Sequence, residues 1–296
     1  MRQVLKRLLQ FTLFALCVIA VVWSIALSSQ TVETLLVANR TDEGGLRLRT
    51  EEFESRFSSG ISDLDFLFLG SSTCYCGIDP YVLEANGFSA FSLCSSAQKL
   101  GNSLAVLEYA KGYCSPDVVV IEMFPELWSG PLSSVECERD WTINGPRLPL
   151  ERIEPYNPLL KVYFSLYEYL GVTRKPHPMV KGDMYSGLGF IERNRNCLRD
   201  FNCGEKVNYI MPDEYLEVLR EVVDEENVIV VIPPVLCGLY FEIDILGLKV
   251  INGNDWPGSR DKSNYYDDHH LVASGAKSYS GWLLEKLIIL NTDPSL

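Results

Sequence analysis

Residues 66–73 of this 296-residue chain read FLFLGSST, an apolar run that ends in a Gly-Ser-Ser turn. Four consecutive large apolar residues predict a strand that is buried on both faces, as in a parallel sheet covered by helices on each side. The serines follow at the carboxyl end of this strand, which is where open α/β sheets bind their ligands. We therefore expect Ser72 to lie at a functional edge of the sheet.

Short apolar strands alternate with helical patterns along much of the chain, and this alternation predicts one three-layer α/β domain with a parallel sheet. A linker and a first amphipathic helix are expected in residues 30–59, and residues 124–158 and 172–208 lack a regular pattern. A large insertion is therefore expected after the third strand. Strands are predicted at 65–69, 88–93, 117–122, 228–232 and 248–251, and helices at 79–86, 100–113, 159–170, 213–224 and 275–290.

Residues 266–271 read YDDHHL and include two of the three histidines in the chain. Asp267 and His270 are three residues apart, so one turn can present both side chains just before the last predicted helix. A serine hydroxyl becomes a good nucleophile when an imidazole takes its proton, and the imidazole needs a carboxylate to hold its tautomer and orientation. We predict that Ser72 is the nucleophile, His270 the base and Asp267 the orienting acid.

Several alternatives are open at this stage. Ser71 is the second choice of nucleophile, and both serines could simply satisfy hydrogen bonds of the turn. Asp268 and His269 could replace the predicted pair, but we expect the side chains of adjacent residues to point apart. The doubled Asp-Asp-His-His could also bind a metal ion, although adjacent ligands rarely converge on one ion. We expect no metal and no other cofactor.

At residues 70–72 and 267–270 the chain resembles the SGNH hydrolases, also called the GDSL family. It is most similar to their membrane-anchored extracytoplasmic branch, which includes teichoic acid D-alanyl transfer proteins and acetyltransferase-like proteins of exopolysaccharide export. That branch commonly has Gly-Ser-Ser where the family has Gly-Asp-Ser. The resemblance covers roughly residues 62–125 and 205–288. It implies an SGNH, flavodoxin-like fold and a triad of Ser72, His270 and Asp267.

The resemblance also implies which groups bind the oxyanion. In the family a second block supplies a glycine N–H and a third block supplies an asparagine side chain. The second block corresponds to residues 91–98, with Ala97 where glycine is usual, so the backbone N–H groups of Ser72 and Ala97 are the expected donors. No asparagine follows the third strand, where residues 121–126 read IEMFPE. One such donor can contribute about 3 kcal/mol to catalysis.

The segment from Leu8 to Leu27 has no charged residue. As a helix it is about 30 Å long, which is enough to cross a bilayer. Basic residues precede it, so the positive-inside rule places the rest of the chain outside the cytoplasm. We predict that residues 1–35 hold a single-pass anchor and the start of a linker, and that residues 36–296 form an extracytoplasmic domain in the periplasm or at the cell surface. A signal peptide cleaved near residues 24–26 is the alternative.

The net charge of −13 argues against nucleic acid as a partner. The chain has nine cysteines, and export would permit disulfide bonds. Cys197 and Cys203 flank a short polar stretch and are the predicted pair. Cys74 and Cys76 are too close for an ordinary local bridge, so each is expected to pair elsewhere or to stay free. No Cys-x-x-Cys occurs, which argues against a zinc site.

Together these features predict a membrane-anchored serine esterase or O-acyltransferase that acts on small acyl esters of a cell-surface glycan. Whether the acyl group goes to water or to a sugar hydroxyl is not determined by the sequence. One alternative is a catalytically weak SGNH-fold subunit that docks to a membrane acyltransferase. Another is an anchored glycan-binding module.

Overall fold

The computed structural model describes residues 3–4, 6–18, 20–21, 45–146, 148, 183–195, 198, 203, 208–238, 240–242 and 247–292. Contacts divide the chain into two units, residues 1–41 and 42–296. The described residues between 3 and 21 are helical (α1). Within the described ranges, the structure contains no helix of the length and apolarity needed to cross a membrane. Residues 22–27 of the predicted anchor and the predicted boundary at residues 35 and 36 lie outside those ranges, so the anchor stays a prediction.

The described part of the second unit alternates between helices and strands. Its helices are α2 (Leu46–Arg56), α3 (Ser72–Gly77), α4 (Pro80–Glu84), α5 (Leu100–Ala110), α6 (Val135–Asn144), α7 (Asp213–Glu225) and α8 (Ala273–Thr292). Its strands are β1 (Ser62–Leu69), β2 (Ala90–Ser92), β3 (Cys114–Glu122), β4 (Asp183–Gly187), β5 (Phe190–Arg193), β6 (Asn208–Ile210), β7 (Val228–Ile232), β8 (Tyr240–Glu242) and β9 (Val250–Asn252).

Five strands form a central sheet in the order β2-β1-β3-β7-β9, and every neighbouring pair in it is parallel. The predicted parallel sheet is therefore confirmed. After β1 the chain goes to one side for β2 and then crosses to the other side for β3. This reversal makes the carboxyl ends of β1 and β3 a topological switch point, where such sheets usually bind ligands. Leu69 and Ile121 pair across it.

The two faces of the sheet pack against different helices, which gives the domain its three layers. Leu67 and Leu69 of β1 belong to a core formed with α2, α5 and α7. Phe66 and Phe68 of the same strand belong to a second core, formed with α3, α4 and α8. Side chains alternate between the faces of a strand, so the continuous apolar run in β1 follows from burial on both sides.

The insertion between β3 and β7 is more regular than the sequence predicts. Helix α6 begins where the side chain of Ser134 accepts a hydrogen bond from the N–H of Cys137, and it buries Trp141 in the first core. Strands β4 and β5 form an antiparallel hairpin. Its turn places Leu188 at φ 53°, between two glycines with positive φ. Elements this short have too few turns or alternations to stand out in the sequence. The predicted helix at 159–170 lies outside the described residues.

The predicted bond between Cys197 and Cys203 is wrong, because Cys203 is bonded to Cys237. Their Cα atoms lie 5.5 Å apart although the residues are 34 positions apart in sequence, so nearness along the chain was a poor guide. Cys197 itself lies outside the described residues. A second disulfide joins Cys74 in α3 to Cys94 in the loop after β2, as expected for a cysteine that pairs elsewhere.

Candidate active site

The turn that carries Ser72 follows β1 directly. Gly70 makes the close approach that this turn requires, because a Cβ atom on it would lie 2.5 Å from the Glu122 carboxylate and 2.9 Å from the Glu122 carbonyl oxygen. Ser71 is extended, and its carbonyl accepts hydrogen bonds from the N–H groups of Cys74 and Tyr75. Helix α3 therefore begins at Ser72, at the switch point of the sheet.

The loop before α8 presents Asp267 and His270. It is closed at its base, where the N–H of Tyr266 donates to the carbonyl of His270 at 2.8 Å. Within the loop, Oδ1 of Asp267 accepts hydrogen bonds from the backbone N–H groups of His269 (3.1 Å) and His270 (2.8 Å). These local bonds hold the carboxylate in place independently of its contact with the imidazole.

The structure brings Ser72, His270 and Asp267 together. The Ser72 Oγ lies 2.8 Å from His270 Nε2, and His270 Nδ1 lies 2.8 Å from Asp267 Oδ2. With Nδ1–H donated to the carboxylate, Nε2 is free to accept the serine hydroxyl. Both predicted contacts are present at hydrogen-bonding distance, and the catalytic roles of the three residues stay a prediction.

Neither alternative residue takes part in this chain of hydrogen bonds. Ser71 is 2% exposed and bonds to Glu122 and Thr73 rather than to an imidazole. His269 Nδ1 lies 2.6 Å from Asp268 Oδ1. The expectation that these adjacent side chains point apart is therefore wrong. Alternation of side chains holds for extended backbone, and the chain bends at residues 266–269.

The pKa values of both members of the acid–imidazole pair are lowered, although burial and hydrogen bonding act in opposite directions on each of them. Burial lowers the pKa of His270 to about 4, against the opposing hydrogen bond with Asp267, and the positive charge of Arg193 adds to the lowering. Burial disfavours the charge on Asp267. Its hydrogen bonds and its attraction to His270 and His269 outweigh that effect and hold the pKa of the carboxyl well below its ordinary value. At neutral pH the site thus contains a neutral imidazole beside a carboxylate, as a general base requires.

The expected oxyanion donors, the N–H groups of Ser72 and Ala97, lie on two segments that are tied together. The N–H of Ser95 donates to the carbonyl of Gly70 at 3.0 Å, and the Cys74–Cys94 disulfide joins the same segments. Ala97 has φ 50°, a left-handed conformation that glycine adopts more readily. Among the described residues, neither Ser72 nor Ala97 has a hydrogen-bond acceptor for its N–H. Ala97 thus has its backbone N–H available, in a conformation that glycine would adopt more easily.

The side chain of Asn254, which follows β9, contacts the segment after β7. The side chain of Asn254 accepts a hydrogen bond from the N–H of Val235 and donates to the carbonyl of Pro233. It stabilises the segment after β7 and is not bonded to Ser72 or His270.

Glu122 also lies in the site, although the sequence alone did not identify it. This last residue of β3 is 3% exposed, and its carboxylate bonds to Ser71 and Thr73 on either side of Ser72. Burial raises the pKa of Glu122 to about 7, although the hydrogen bonds from Thr73 and Ser71 favour its ionised form. A charged residue that directly follows the apolar run of residues 118–121 was the available signal, because such residues are rarely buried without partners.

Arg193 was also missed, because it lies in the insertion. Its guanidinium stacks over the ring of Tyr266 at 5.0 Å, and its Nε lies 3.5 Å from Asp183 Oδ2. The hairpin of β4 and β5 thereby brings a positive charge close to Asp267 and His270. No pattern in the sequence connects residue 193 with residue 266.

One cluster of the described residues has the composition of a metal site. Ligand atoms of Asp267, His269 and His270 lie within 4.8 Å of one another. In this arrangement, however, Asp267 Oδ2 and His270 Nδ1 are bonded to each other, and His269 Nδ1 is bonded to Asp268. A metal ion would have to displace these hydrogen bonds to bind.

A scan against protein-family models and a search of curated proteins find no match to this chain. Its function must therefore be inferred from the geometry of the site.

Proposed function

We propose that this protein is an extracytoplasmic serine esterase or O-acyltransferase of the SGNH type, which acts on small acyl esters of a cell-surface glycan. The observation that carries the proposal is the unbroken hydrogen-bonded chain from Ser72 through His270 to Asp267, with 2.8 Å at each step. Nucleophile, base and orienting acid are in hydrogen-bond reach of one another, which is the geometric requirement for acyl transfer.

In the first half of the reaction, Ser72 Oγ attacks the acyl carbonyl carbon while His270 Nε2 takes the hydroxyl proton. The negative charge that develops on the carbonyl oxygen is stabilised by the N–H groups of Ser72 and Ala97. The tetrahedral intermediate then collapses, the ester C–O bond breaks, and the imidazolium of His270 donates its proton to the departing alkoxide oxygen, which leaves as a hydroxyl. The acyl group is now an ester of Ser72.

In the second half, an incoming hydroxyl attacks the acyl-serine while His270 takes its proton. Water gives a free carboxylic acid, and a sugar hydroxyl gives a new acyl ester. Ser72 then recovers its proton from His270. No cofactor takes part in either half. Which acceptor arrives first decides between an esterase and a transferase.

Three features support an extracytoplasmic SGNH protein. The parallel order β2-β1-β3-β7-β9 is the flavodoxin-like arrangement, with Ser72 at its switch point. Two disulfides, Cys74–Cys94 and Cys203–Cys237, suit an oxidising compartment. The uncharged segment 8–27 would provide attachment to the membrane.

Covalent labelling tests the proposal directly. A fluorophosphonate probe should phosphonylate the full-length protein on Ser72, as mapped by mass spectrometry of its peptides. Ser72→Ala should abolish labelling, whereas Ser71→Ala should retain it. A wild-type protein that binds no probe, or an adduct on another residue, would contradict the proposed chemistry.

A specific observation favours one alternative function. No asparagine follows β3, and Glu122 occupies the corresponding strand end. A site that lacks this donor would be a weak catalyst, and the protein could instead be a partner subunit of a membrane acyltransferase. In that case Ser72→Ala would leave glycan acylation in cells unchanged, while loss of the whole protein would abolish it.

A further inference from the structure

The carboxylate of Glu122 contacts the nucleophile turn on both sides of Ser72. Its Oε2 accepts hydrogen bonds from the N–H of Ser71 at 2.8 Å and from the hydroxyl of Ser71 at 3.1 Å. Its Oε1 accepts the hydroxyl of Thr73 at 2.6 Å. Three donors from the residues that flank the nucleophile therefore converge on one buried side chain.

The side chain of Glu122 also packs directly against Gly70 of the turn. Gly70 leaves no space for a side chain, since a Cβ atom there would meet Glu122 at 2.5 Å from its carboxylate and 2.7 Å from its own Cβ. The turn is thus held against the end of β3 by both shape and hydrogen bonds. Any shift of the carboxylate would move Ser71 and Thr73, and with them the Ser72 hydroxyl.

We propose that Glu122 is a positioning residue, which orients Ser72 toward His270 through Ser71 and Thr73 and does so fully only when its carboxylate is ionised. An ionised carboxylate only accepts hydrogen bonds, so all three donors can point at it. Once protonated, it loses the charge that strengthens these bonds, and the hydroxyl that accepts its proton can donate only to the other hydroxyl, since Ser71 Oγ lies 2.8 Å from Thr73 Oγ1. The inference concerns the site of the proposed acyl transfer and rests on that function for its kinetic consequence.

The titration of this carboxyl falls within the physiological range. Burial raises the pKa of Glu122 to about 7, against the hydrogen bonds from Thr73 and Ser71 and the charge of His269. Tyr279 of α8 also interacts with it, and burial raises the pKa of Tyr279 well above its ordinary value. Tyr279 therefore stays neutral between pH 5 and 8, and His269 is the group to control for.

The experiment compares Glu122→Gln with Glu138→Gln in the full-length protein. Glu138 is a matched control, because it is another buried glutamate with a raised pKa, about 8, and its Oε1 accepts a hydrogen bond from the side chain of Asn102 in α5. The rate of Ser72 labelling by a fluorophosphonate is measured from pH 5.5 to 8. Hydrogen exchange of residues 70–77 is followed in the same samples by mass spectrometry.

We expect the wild-type labelling rate to fall about tenfold as the pH drops through 7, the effect of losing one hydrogen bond to a charged group. Glu122→Gln should label at a nearly constant rate, close to that of the wild type at pH 5.5. Its residues 70–77 should exchange faster. Glu138→Gln should keep the wild-type midpoint near pH 7. His269→Gln should keep the tenfold fall, with a midpoint at or above that of the wild type, because the charge of His269 lowers the pKa of Glu122.

Two results would overturn the inference. In the first, Glu122→Gln keeps the wild-type rates and midpoint. In the second, Glu138→Gln changes the profile as much as Glu122→Gln does, which would indicate general destabilisation. If the wild type does not label at any pH, the proposed acyl transfer fails. Hydrogen exchange then tests the positioning role of Glu122 by itself. Equal exchange of residues 70–77 in the two glutamate variants would contradict that role.

Discussion

Residues 267–270 contain two acid–imidazole pairs that are built from the same residue types but differ in spacing. In the inner pair, Asp267 and His270, the imidazole is 9% exposed and its Nε2 reaches Ser72. In the outer pair, Asp268 and His269, the imidazole stacks on the ring of Phe124 at 5.1 Å and has no contact with Ser72. A hydrogen bond between acid and imidazole is thus common to both pairs, and only the inner imidazole is also within hydrogen-bonding distance of Ser72.

The difference arises from how each carboxylate is held. Asp267 accepts two backbone N–H groups in addition to the imidazole, so its orientation is set by the loop itself. Asp268 is bonded to the neighbouring imidazole and its side chain is more exposed. Exposed ion pairs contribute little to stability or function. The comparison leads to four predictions, in order of decreasing effect.

Removal of the nucleophile should have the largest effect. Ser72→Ala should lower the turnover of a small acyl ester such as p-nitrophenyl acetate by roughly a thousandfold or more, since no other hydroxyl contacts His270 Nε2 in the described residues. Ser71→Ala removes one hydrogen bond to Glu122 and should cost about tenfold or less. Equal losses in the two variants would show that the turn as a whole is needed and that Ser72 has no special role.

The imidazoles should differ almost as strongly. His270→Gln should lower the rate of Ser72 labelling by about a thousandfold, because the hydroxyl loses its base. His269→Gln should change the rate by less than about threefold, because His269 does not contact the nucleophile. The labelling rates of the two variants, measured beside that of the wild type, test this. A larger loss in His269→Gln than in His270→Gln would assign the outer imidazole as the base.

The carboxylates should show the same contrast on a smaller scale. Asp267→Asn keeps an acceptor for the two backbone N–H groups but favours the wrong imidazole tautomer, and we expect a loss in kcat of about a hundredfold or more. Asp268→Asn should stay within about twofold of the wild type. Comparable kcat values for the two variants would mean that Asp267 stabilises the loop but does not orient the imidazole.

The inner imidazole should also make stability depend on pH. Because burial lowers the pKa of His270 to about 4, from an unfolded value near 6.5, the unfolded chain takes up this proton first as the pH falls. The stabilisation contributed by the neutral imidazole of His270 is complete above about pH 6.5 and is lost as the pH drops toward 4. The free energies of unfolding of the wild type and of His270→Gln should therefore converge as the pH falls over this range. Chemical denaturation at pH 7.5, 6, 5 and 4 measures it, and a difference that does not change with pH would contradict the assignment.

Much of the fold and the central contact were predictable because they depend on short stretches of sequence. The FLFL run predicted a strand buried on both faces, and residues of β1 do belong to both cores. The three-residue spacing of Asp267 and His270 predicted one turn that presents both side chains, and their hydrogen bond is present. Such local patterns report directly on backbone geometry.

The residues that surround the contact were harder to predict. Glu122 looked like the end of a strand, and nothing near it in sequence indicated Ser71 as its partner. Arg193 belongs to a hairpin too short to show an alternating pattern. The true partner of Cys203 lies 34 residues away and was hidden by a nearer cysteine.

The sequence alone determined the alternation of strands and helices, the burial of β1, and the residue types suited to acyl transfer at two points far apart in the chain. The tertiary structure decided which serine meets which histidine, across 198 residues, and which carboxylate supports the nucleophile turn, across 51. The physical reason is that hydrophobic periodicity is a property of neighbouring residues. Hydrogen bonds between distant side chains exist only after the strands have aligned in register and brought their ends to one edge of the sheet.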